Sequence, residues 1–435
     1  MVPVSKFTFR IVLLTSLAIM GAAFAPAFAQ TAAPAASPAT SPATSPDGLW
    51  HGSTEVNGQQ VPFTLEVTGA GDQVQGALIN GKQKSPSSSG SYADGHLVLH
   101  FDYYANTLDA TIANGILTGT FGSSARLTQI TASLNASTQP PSPNPPNIAG
   151  TWEVKVDKGP KGEHAWTLQV RQTGAHVEAV IQRIDGDTGA LYGEWRDGQF
   201  AVSHFTAGGP SYQVLKPQKD GTLQLISYGP GGEPTALIAQ RPEAARAAGL
   251  VAPDDPLTHT KLQNPNAPIA FSFPDLNGKI VSNTDAQFKN KVVIVSIGGS
   301  WCPNCQDEAP FLVELYKKYH DRGLEIVELS FEEAPQLANP TRLRAVIRKF
   351  GINYTVLLAG TRDQLNEKIR GVDNLNCWPT TFFVGKDGLV KAIHTGYSGP
   401  ATGKDNEELE RENTALVEKL LAGKPAGAGK VAGGE

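Results

Sequence analysis

One short stretch, Ser300 to Cys305 (Ser-Trp-Cys-Pro-Asn-Cys), constrains the fold more than any other part of this 435-residue chain. The segment 292–297 before it is apolar and β-branched, which predicts a buried strand. The segment 306–320 after it has apolar residues at helical spacing, which predicts a helix. Cysteines three positions apart in one helical turn lie about 5–6 Å from each other, within disulfide reach. The sequence therefore predicts a redox-active cysteine pair between a buried strand and a helix.

The first cysteine of the pair is the expected nucleophile. Cys302 lies at the start of the helix, where unpaired N–H groups and the helix dipole favour a thiolate, whereas Cys305 lies one turn inside. We therefore expect Cys302 to be exposed and Cys305 to be shielded. Half a zinc site is the alternative for such a pair, but zinc needs four ligands. The chain has one further cysteine, Cys377, and no Cys/His group at zinc-knuckle spacing. We predict neither a metal nor another cofactor.

Residues 264–421 resemble the TlpA/ResA family of exported thioredoxin-fold thiol–disulfide oxidoreductases. The matching stretches are 273–279 (FPDLNGK), 291–295 (KVVIV), 299–305 (GSWCPNC), 378–383 (WPTTFF), 386–388 (KDG) and 393–400 (IHTGYSGP). The resemblance implies an α/β thioredoxin-like domain that reduces disulfides through the cysteine pair. Strand and helix patterns alternate along the same segment, which independently favours a central sheet with covered faces and an antiparallel edge hairpin.

The resemblance also places residues around the cysteines. Pro379 stands where thioredoxin-like folds carry a cis-proline opposite the cysteine pair, which would leave the backbone of Trp378 free to pair with an incoming peptide. Trp301, Pro303 and Trp378 are the expected substrate-binding residues.

Glu308 follows Cys305 by one helical turn, and the family resemblance implies an acid–base role for this position. Many thioredoxins carry a buried aspartate six residues before the first cysteine, but that residue here is Ser296. Glu308 is therefore the best candidate to take the proton of Cys305. The alternative is a glutamate on the helix face that favours the positive end of the helix.

Cys377 is the unpaired thiol, two residues before Pro379. It is either a small buried apolar residue or a redox or regulatory thiol on the rim of the same site. The sequence leaves both interpretations open.

The first part of the chain predicts export. Residues 1–29 have a basic start, an apolar run and an Ala-Phe-Ala cleavage site, which is typical of a signal peptide. We expect a periplasmic or other extracytoplasmic protein, held at the membrane if this segment is retained as an anchor. The formal net charge is −5, or −7 once the basic residues of this segment are removed, and there is no basic patch for nucleic acid.

The middle of the chain contains an internal repeat. Gly48-Leu49-Trp50 corresponds to Gly150-Thr151-Trp152, and apolar–polar alternation between turn signals predicts antiparallel hairpins in both copies. His100 and His204 occupy corresponding positions and are interpreted as structural, because no metal-ligand spacing surrounds them. We predict two duplicated all-β domains, each a small barrel or sandwich, with an unknown partner.

The predicted boundaries follow from these patterns. They are a signal peptide at 1–29, a Pro/Ala/Ser/Thr-rich linker at 30–46, β-domains at 47–136 and 147–242 around a proline-rich linker at 137–146, a connector at 243–262, the thioredoxin-like domain at 263–421 and a disordered tail at 422–435. Since neither β-domain contains a cysteine, we expect both to be dispensable for the chemistry.

The predicted function is a disulfide reductase that attacks a disulfide-containing protein substrate and is regenerated by a membrane thiol reductant. One alternative is a peroxiredoxin-like antioxidant activity, which requires a threonine three residues before the reactive cysteine, where this chain has Gly299. The other is a binding protein in which the β-domains do the work and the thioredoxin-like module is accessory.

Overall fold

The computed structural model of the protein describes residues 45–134, 140–157, 159–228 and 233–423. The predicted signal peptide, nearly all of the 30–46 linker, part of the 137–146 linker and all but the first two residues of the 422–435 tail lie outside these ranges. Within the described ranges, no helix is both long enough and apolar enough to cross a membrane.

The first β-domain is one antiparallel sheet of nine strands. Their bounds are β1 (Gly48–Val56), β2 (Gln59–Thr68), β3 (Gln75–Asn80), β4 (Gln83–Pro86), β5 (Ser89–Ala93), β6 (His96–Phe101), β7 (Asn106–Ala113), β8 (Ile116–Ser123) and β9 (Arg126–Leu134). The spatial order is β4-β3-β2-β1-β9-β8-β7-β6-β5. The two ends of the sheet are not paired to each other within this described segment, so the sheet forms a half-barrel.

The second β-domain also has nine strands. Their bounds are β10 (Gly150–Lys155), β11 (Ala165–Thr173), β12 (His176–Arg183), β13 (Gly186–Asp187), β14 (Leu191–Arg196), β15 (Gln199–Thr206), β16 (Gly209–Pro217), β17 (Leu223–Ser227) and β18 (Thr235–Gln240). An additional β11–β12 pairing joins the sheet to itself. The result is a closed barrel with β13 attached outside the ring.

The two β-domains share their strand pairing. The first strand of each pairs with the second and the last, and the Trp50↔Leu65 pair corresponds to Trp152↔Leu168. Each tryptophan ring N–H donates a 2.9 Å hydrogen bond to the carbonyl oxygen four residues earlier. The predicted pair of duplicated all-β domains is confirmed.

The outer face of the barrel covers the open half-barrel. The ring centroid of Phe205, on β15, lies 5.0 Å from that of Phe63 and 4.9 Å from that of Phe121 in the half-barrel core. Two asparagine side chains, Asn80 and Asn106, donate 2.8 Å hydrogen bonds to carbonyl oxygens of the barrel. The β-domains therefore share one apolar core, which fixes their relative position.

The C-terminal domain has a five-stranded central sheet in the order β24-β23-β22-β26-β27. The helices and strands after the barrel are α1 (Pro242–Ala247), α2 (Pro256–His259), β19 (Lys261–Leu262), β20 (Ser272–Pro274), β21 (Ile280–Ser282), β22 (Val292–Gly298), α3 (Pro303–Tyr319), β23 (Leu324–Glu332), α4 (Ala334–Ala338), α5 (Thr341–Phe350), β24 (Thr355–Thr361), α6 (Leu365–Lys368), β25 (Val372–Asp373), β26 (Thr380–Val384), β27 (Val390–Thr395) and α7 (Lys404–Ala422). All seven residues of β22 are buried, because packed elements cover both faces of the sheet.

A short helix, α2, begins at Pro256 within the segment that was predicted as a connector. Asp255 caps it by accepting a hydrogen bond from the backbone N–H of Leu257, and proline is tolerated in a first turn, where its missing N–H has no partner to lose. The short helix α4 was not predicted.

Candidate active site

The cysteine pair lies where β22 turns into α3. Cys302 is the N-cap residue of α3, and its Sγ accepts a 3.1 Å hydrogen bond from the backbone N–H of Cys305. The two cysteines are joined in a disulfide, with their Cα atoms 5.3 Å apart. The predicted juxtaposition of two thiols in the first helical turn is present.

A buried ionic network holds the turn before the cysteines. The carboxylate of Glu332, at the end of β23, accepts hydrogen bonds from the backbone N–H of Ser300 at 2.6 Å and from its hydroxyl at 2.7 Å. Arg342, on α5, donates to the same carboxylate at 2.9 Å and to the Ser300 hydroxyl at 2.8 Å. Glu332 is completely buried. This network was not predicted, since Ser300, Glu332 and Arg342 come from three separate parts of the chain.

Glu308 is buried on α3, one helical turn after Cys305. Its two carboxylate oxygens accept hydrogen bonds from the hydroxyls of Ser296, at 3.0 Å, and Thr381, at 2.7 Å. Burial raises the pKa of Glu308 to about 7, although these two hydrogen bonds favour its ionised form. A carboxyl group that titrates near neutral pH can both accept and return a proton there.

A second carboxyl group, which the sequence interpretation missed, lies on the same side of the sheet. Glu328 on β23 is in register with Ser296 on β22. Glu328 and Cys305 both lie next to Gly298. A Cβ atom placed on this glycine would lie 3.2 Å from the Sγ of Cys305 and 4.0 Å from Oε1 of Glu328. Burial, followed by the charges of Glu332 and Glu308, raises the pKa of Glu328 to about 8. The only feature of the sequence that could have pointed to Glu328 was that its strand, β23, is the next strand along the chain after β22.

The opposite wall of the site carries the predicted aromatic residues. The Trp378–Pro379 peptide bond is cis, as predicted. The Trp378 ring lies edge-on to the Trp301 ring, with centroids 5.4 Å apart, and the Trp301 ring N–H donates to the carbonyl oxygen of Phe331 at 2.8 Å. Pro303 is exposed beside them.

The expectation of an exposed Cys302 and a shielded Cys305 is wrong in this structure, because only 3% of Cys302 is accessible to solvent, whereas Cys305 is half-buried. The β-domains pack against the start of α3. Asn304 donates to the carbonyl oxygen of Asp185 in the barrel at 2.9 Å, and Gln306 donates to that of Tyr103 in the half-barrel at 2.8 Å. The absence of cysteines from the β-domains therefore does not make them remote from the chemistry.

Cys377 lies against the barrel and is completely buried. Its thiol donates to Oδ1 of Asn376 at 3.2 Å, and burial raises its pKa far above the ordinary value. Asn376 is itself held by Lys161 of the barrel, through hydrogen bonds of 2.5 Å and 3.1 Å. These surroundings favour the interpretation of Cys377 as a small buried residue.

Among the described residues, no group of three or more His, Cys, Asp and Glu side chains could hold a metal ion. The site combines a cysteine pair at the start of α3, a buried carboxyl group one turn later and a cis bond before Pro379, which is the arrangement expected of a thioredoxin-like redox site.

Comparison with known proteins agrees with this class. Residues 265–393 match the AhpC/TSA family. Two curated relatives, each named thiol-disulfide oxidoreductase ResA, come from Bacillus thuringiensis (strain Al Hakam) and Geobacillus thermodenitrificans (strain NG80-2). They are 31% identical over 120 residues and 33% identical over 126 residues. These alignments cover 28% and 29% of this chain and 62% and 66% of the relatives.

A solved structure of a thiol:disulfide interchange protein from Chlorobium tepidum TLS is 25% identical, with a TM-score of 0.29, and covers 37% of this chain and 98% of its own. The chain spans less than two thirds of the length of the curated relatives it matches. The resemblance seen in the sequence is confirmed for the C-terminal domain, which is thioredoxin-like: residues 265–393 match the AhpC/TSA family, and this part of the chain is similar to proteins named ResA.

Proposed function

We propose that the protein is an exported thiol–disulfide oxidoreductase that reduces disulfides through Cys302 and Cys305. The observation that carries the proposal is the cysteine pair at the first turn of α3, with the carboxyl group of Glu308 buried one helical turn after Cys305. The likeness of residues 265–393 to proteins named thiol-disulfide oxidoreductase ResA supports it. The proposed substrate is a disulfide-containing protein.

The first step is attack by the Cys302 thiolate on one sulfur of the substrate disulfide. The N–H of Cys305 points at the Cys302 Sγ, and this donor, together with the helix N-terminus, stabilises negative charge there. The substrate S–S bond breaks, one substrate sulfur leaves as a thiolate that takes up a proton, and the other remains bound to Cys302.

The second step releases the substrate. With a pKa of about 7, Glu308 is partly ionised at neutral pH and can take the proton of Cys305. The Cys305 thiolate then attacks the Cys302 sulfur, forms the Cys302–Cys305 disulfide and expels the second substrate thiol. A membrane dithiol reductant is the proposed source of the two electrons that restore the reduced pair.

Export is part of the proposal. It is also the reason why the protein needs a reductant, because free cysteines outside the cytoplasm tend to become oxidised. The basic start, apolar run and Ala-Phe-Ala site of residues 1–29 support it. Cell fractionation and N-terminal sequencing of the mature chain test it: a mature chain in the periplasmic or other extracytoplasmic fraction is expected, and recovery of the chain only in the cytoplasm would contradict it.

The chemistry is tested by trapping the mixed disulfide in the full chain. Cys305→Ser, made in a Cys377→Ala background, removes the resolving thiol and should accumulate the substrate on Cys302, whereas Cys302→Ser should accumulate little. Cys377→Ala alone is the control, and its turnover of a model disulfide should match that of the unchanged chain. Peptide mapping that places the trapped partner on Cys305, and none on Cys302, would reverse the assignment.

The peroxiredoxin-like alternative conflicts with the backbone at Gly299. A Cβ atom there would lie only 2.4 Å from the carbonyl oxygen of Phe331 and 2.4 Å from the ring nitrogen of Trp301. The required threonine therefore does not fit without displacing a strand. Reduction of hydrogen peroxide by the full chain as fast as its reduction of a model disulfide would favour the peroxidase.

A further inference from the structure

A cavity of about 750 Å³ lies in front of Cys302, between the thioredoxin-like domain and both β-domains. Cys302, Trp301 and Trp378 line one side, Tyr104 of the half-barrel lines another, and one end of the barrel lines the rest. Its volume is within the range of small-molecule sites, which is about 300–1,000 Å³. Because Cys302 is almost completely buried, a molecule that meets its sulfur in this arrangement must occupy this cavity.

The end of the barrel that borders the cavity is polar inside. Phe200 and Val202 on β15 belong to the apolar barrel core, and since strand side chains alternate between faces, His204 continues the same inward face. On β16 the inward face runs from the core residue Leu215 to Gln213 in the same way. The barrel interior therefore changes from apolar at its centre to polar at the mouth that opens towards the cysteine.

Three polar atoms at this mouth have no hydrogen-bond partner among the described residues. They are Nε of Arg183, Nδ1 of His204 and Oε1 of Gln213, and all three side chains line the cavity. Burial without a partner costs a polar group free energy, and native proteins leave few such groups. By contrast, the corresponding His100 of the half-barrel is exposed and contacts the hydroxyl of Thr107 at 3.2 Å. The interpretation of His204 as a purely structural position is therefore incomplete.

Charged side chains of both signs line the cavity. They include Lys161, Arg183 and Arg362 and, with the opposite sign, Asp185, Asp187 and Asp307. Burial lowers the pKa of His204 to about 4, so its imidazole is neutral at pH 7 and can donate or accept. Such a lining suits a ligand with a carboxylate, an ammonium and amide groups, rather than an apolar ligand.

We propose that this cavity binds a low-molecular-weight zwitterionic disulfide of the small-peptide class, with its carboxylate on Arg183 and its amide groups on His204 and Gln213, and presents its sulfurs to Cys302. This inference rests on the proposed reductase function and adds a substrate class to protein disulfides. The reduced cysteine pair supplies two electrons and two protons. The ligand S–S bond breaks, two ligand thiols leave, and the Cys302–Cys305 disulfide forms.

Single-turnover kinetics of the full chain test the proposal. The prereduced protein is mixed with oxidised glutathione, which carries the required charges, or with 2-hydroxyethyl disulfide, which carries none, and tryptophan fluorescence is followed. Arg183→Met should slow the reaction with oxidised glutathione about tenfold or more, since a hydrogen bond to a charged group is lost. The rate with 2-hydroxyethyl disulfide, which has no carboxylate to bind Arg183, should change much less. Lys216→Met, on the exposed face of β16, is the matched control and should alter neither rate.

A second variant and a binding measurement distinguish failure of the cavity proposal from failure of the reductase function. Gln213→Glu preserves the side-chain shape, adds a negative charge and should also slow only the reaction with oxidised glutathione. Calorimetry on the Cys302→Ser, Cys305→Ser chain should detect binding of oxidised glutathione that Arg183→Met weakens. Equal effects on both disulfides, or no binding, would overturn the cavity proposal even if disulfide reduction persists. Binding without any turnover would instead overturn the reductase function and leave the cavity as a ligand site.

Discussion

Glu308→Gln should change stability and activity in opposite directions. Burial raises the pKa of Glu308 from its ordinary value of 4.5 to about 7. One pKa unit corresponds to about 1.36 kcal/mol, so at pH 8 the ionised, buried carboxylate costs the folded state about 3 kcal/mol. Between pH 4.5 and 7 the folded state holds the proton more tightly than the unfolded state does, and stability therefore falls as pH rises through this window.

The amide of the variant removes this pH dependence. A glutamine has the same shape, can bond with the hydroxyls of Ser296 and Thr381 that now contact Glu308, and carries no charge to desolvate. We expect Glu308→Gln to be more stable than the unchanged chain by about 3 kcal/mol at pH 8, with little difference at pH 4.5. Urea unfolding of the oxidised proteins at both pH values measures the difference in the free energy of unfolding.

The same variant should lose the base for the resolving step. Because general bases contribute about 10²-fold or more, release of the mixed disulfide should slow by about that factor near pH 7, whereas its formation should not change. In the unchanged chain the release rate should rise through pH 7 as Glu308 ionises. Stopped-flow measurements separate the two steps.

Glu314→Gln is the matched control, since Glu314 is exposed on the same helix. It should alter neither the pH dependence of stability nor either kinetic step. A free-energy difference between Glu308→Gln and the unchanged chain that is the same at both pH values would refute the reasoning on burial. Unchanged release kinetics would remove Glu308 from the mechanism.

Three further predictions concern the residues and domains that surround the cysteine pair. Arg342→Met leaves the buried carboxylate of Glu332 without its cation and should lower the free energy of unfolding by about 3–5 kcal/mol. Urea unfolding measures this change, and a decrease no larger than that caused by removing an exposed ion pair would contradict the prediction. Gly299→Thr should destabilise the chain by about 1–3 kcal/mol through overpacking and confer no peroxidase activity, as thermal unfolding and a hydrogen peroxide assay would show. Iodoacetamide should alkylate reduced Cys302 faster in the isolated segment 263–435 than in the full chain; equal rates would show that the β-domains do not restrict access.

Local sequence patterns determined the thioredoxin-like domain and its cysteine pair. The strand predicted at 292–297 and the helix predicted at 306–320 agree with β22 (Val292–Gly298) and α3 (Pro303–Tyr319). These elements could be predicted because hydrophobic periodicity and turn residues act over a few neighbouring positions. The cis bond before Pro379 followed from a motif of the same short range.

The tertiary structure alone decided what surrounds the cysteines. Glu328 comes close to Cys305, and Arg342 reaches Glu332, because strands and helices distant in sequence pack side by side. The barrel covers Cys302 through contacts such as that between Asn304 and Asp185, 119 residues apart. Burial, and the pKa shifts it causes, depend on which surfaces meet after folding, and no pattern along the chain records how the β-domains dock on the redox site.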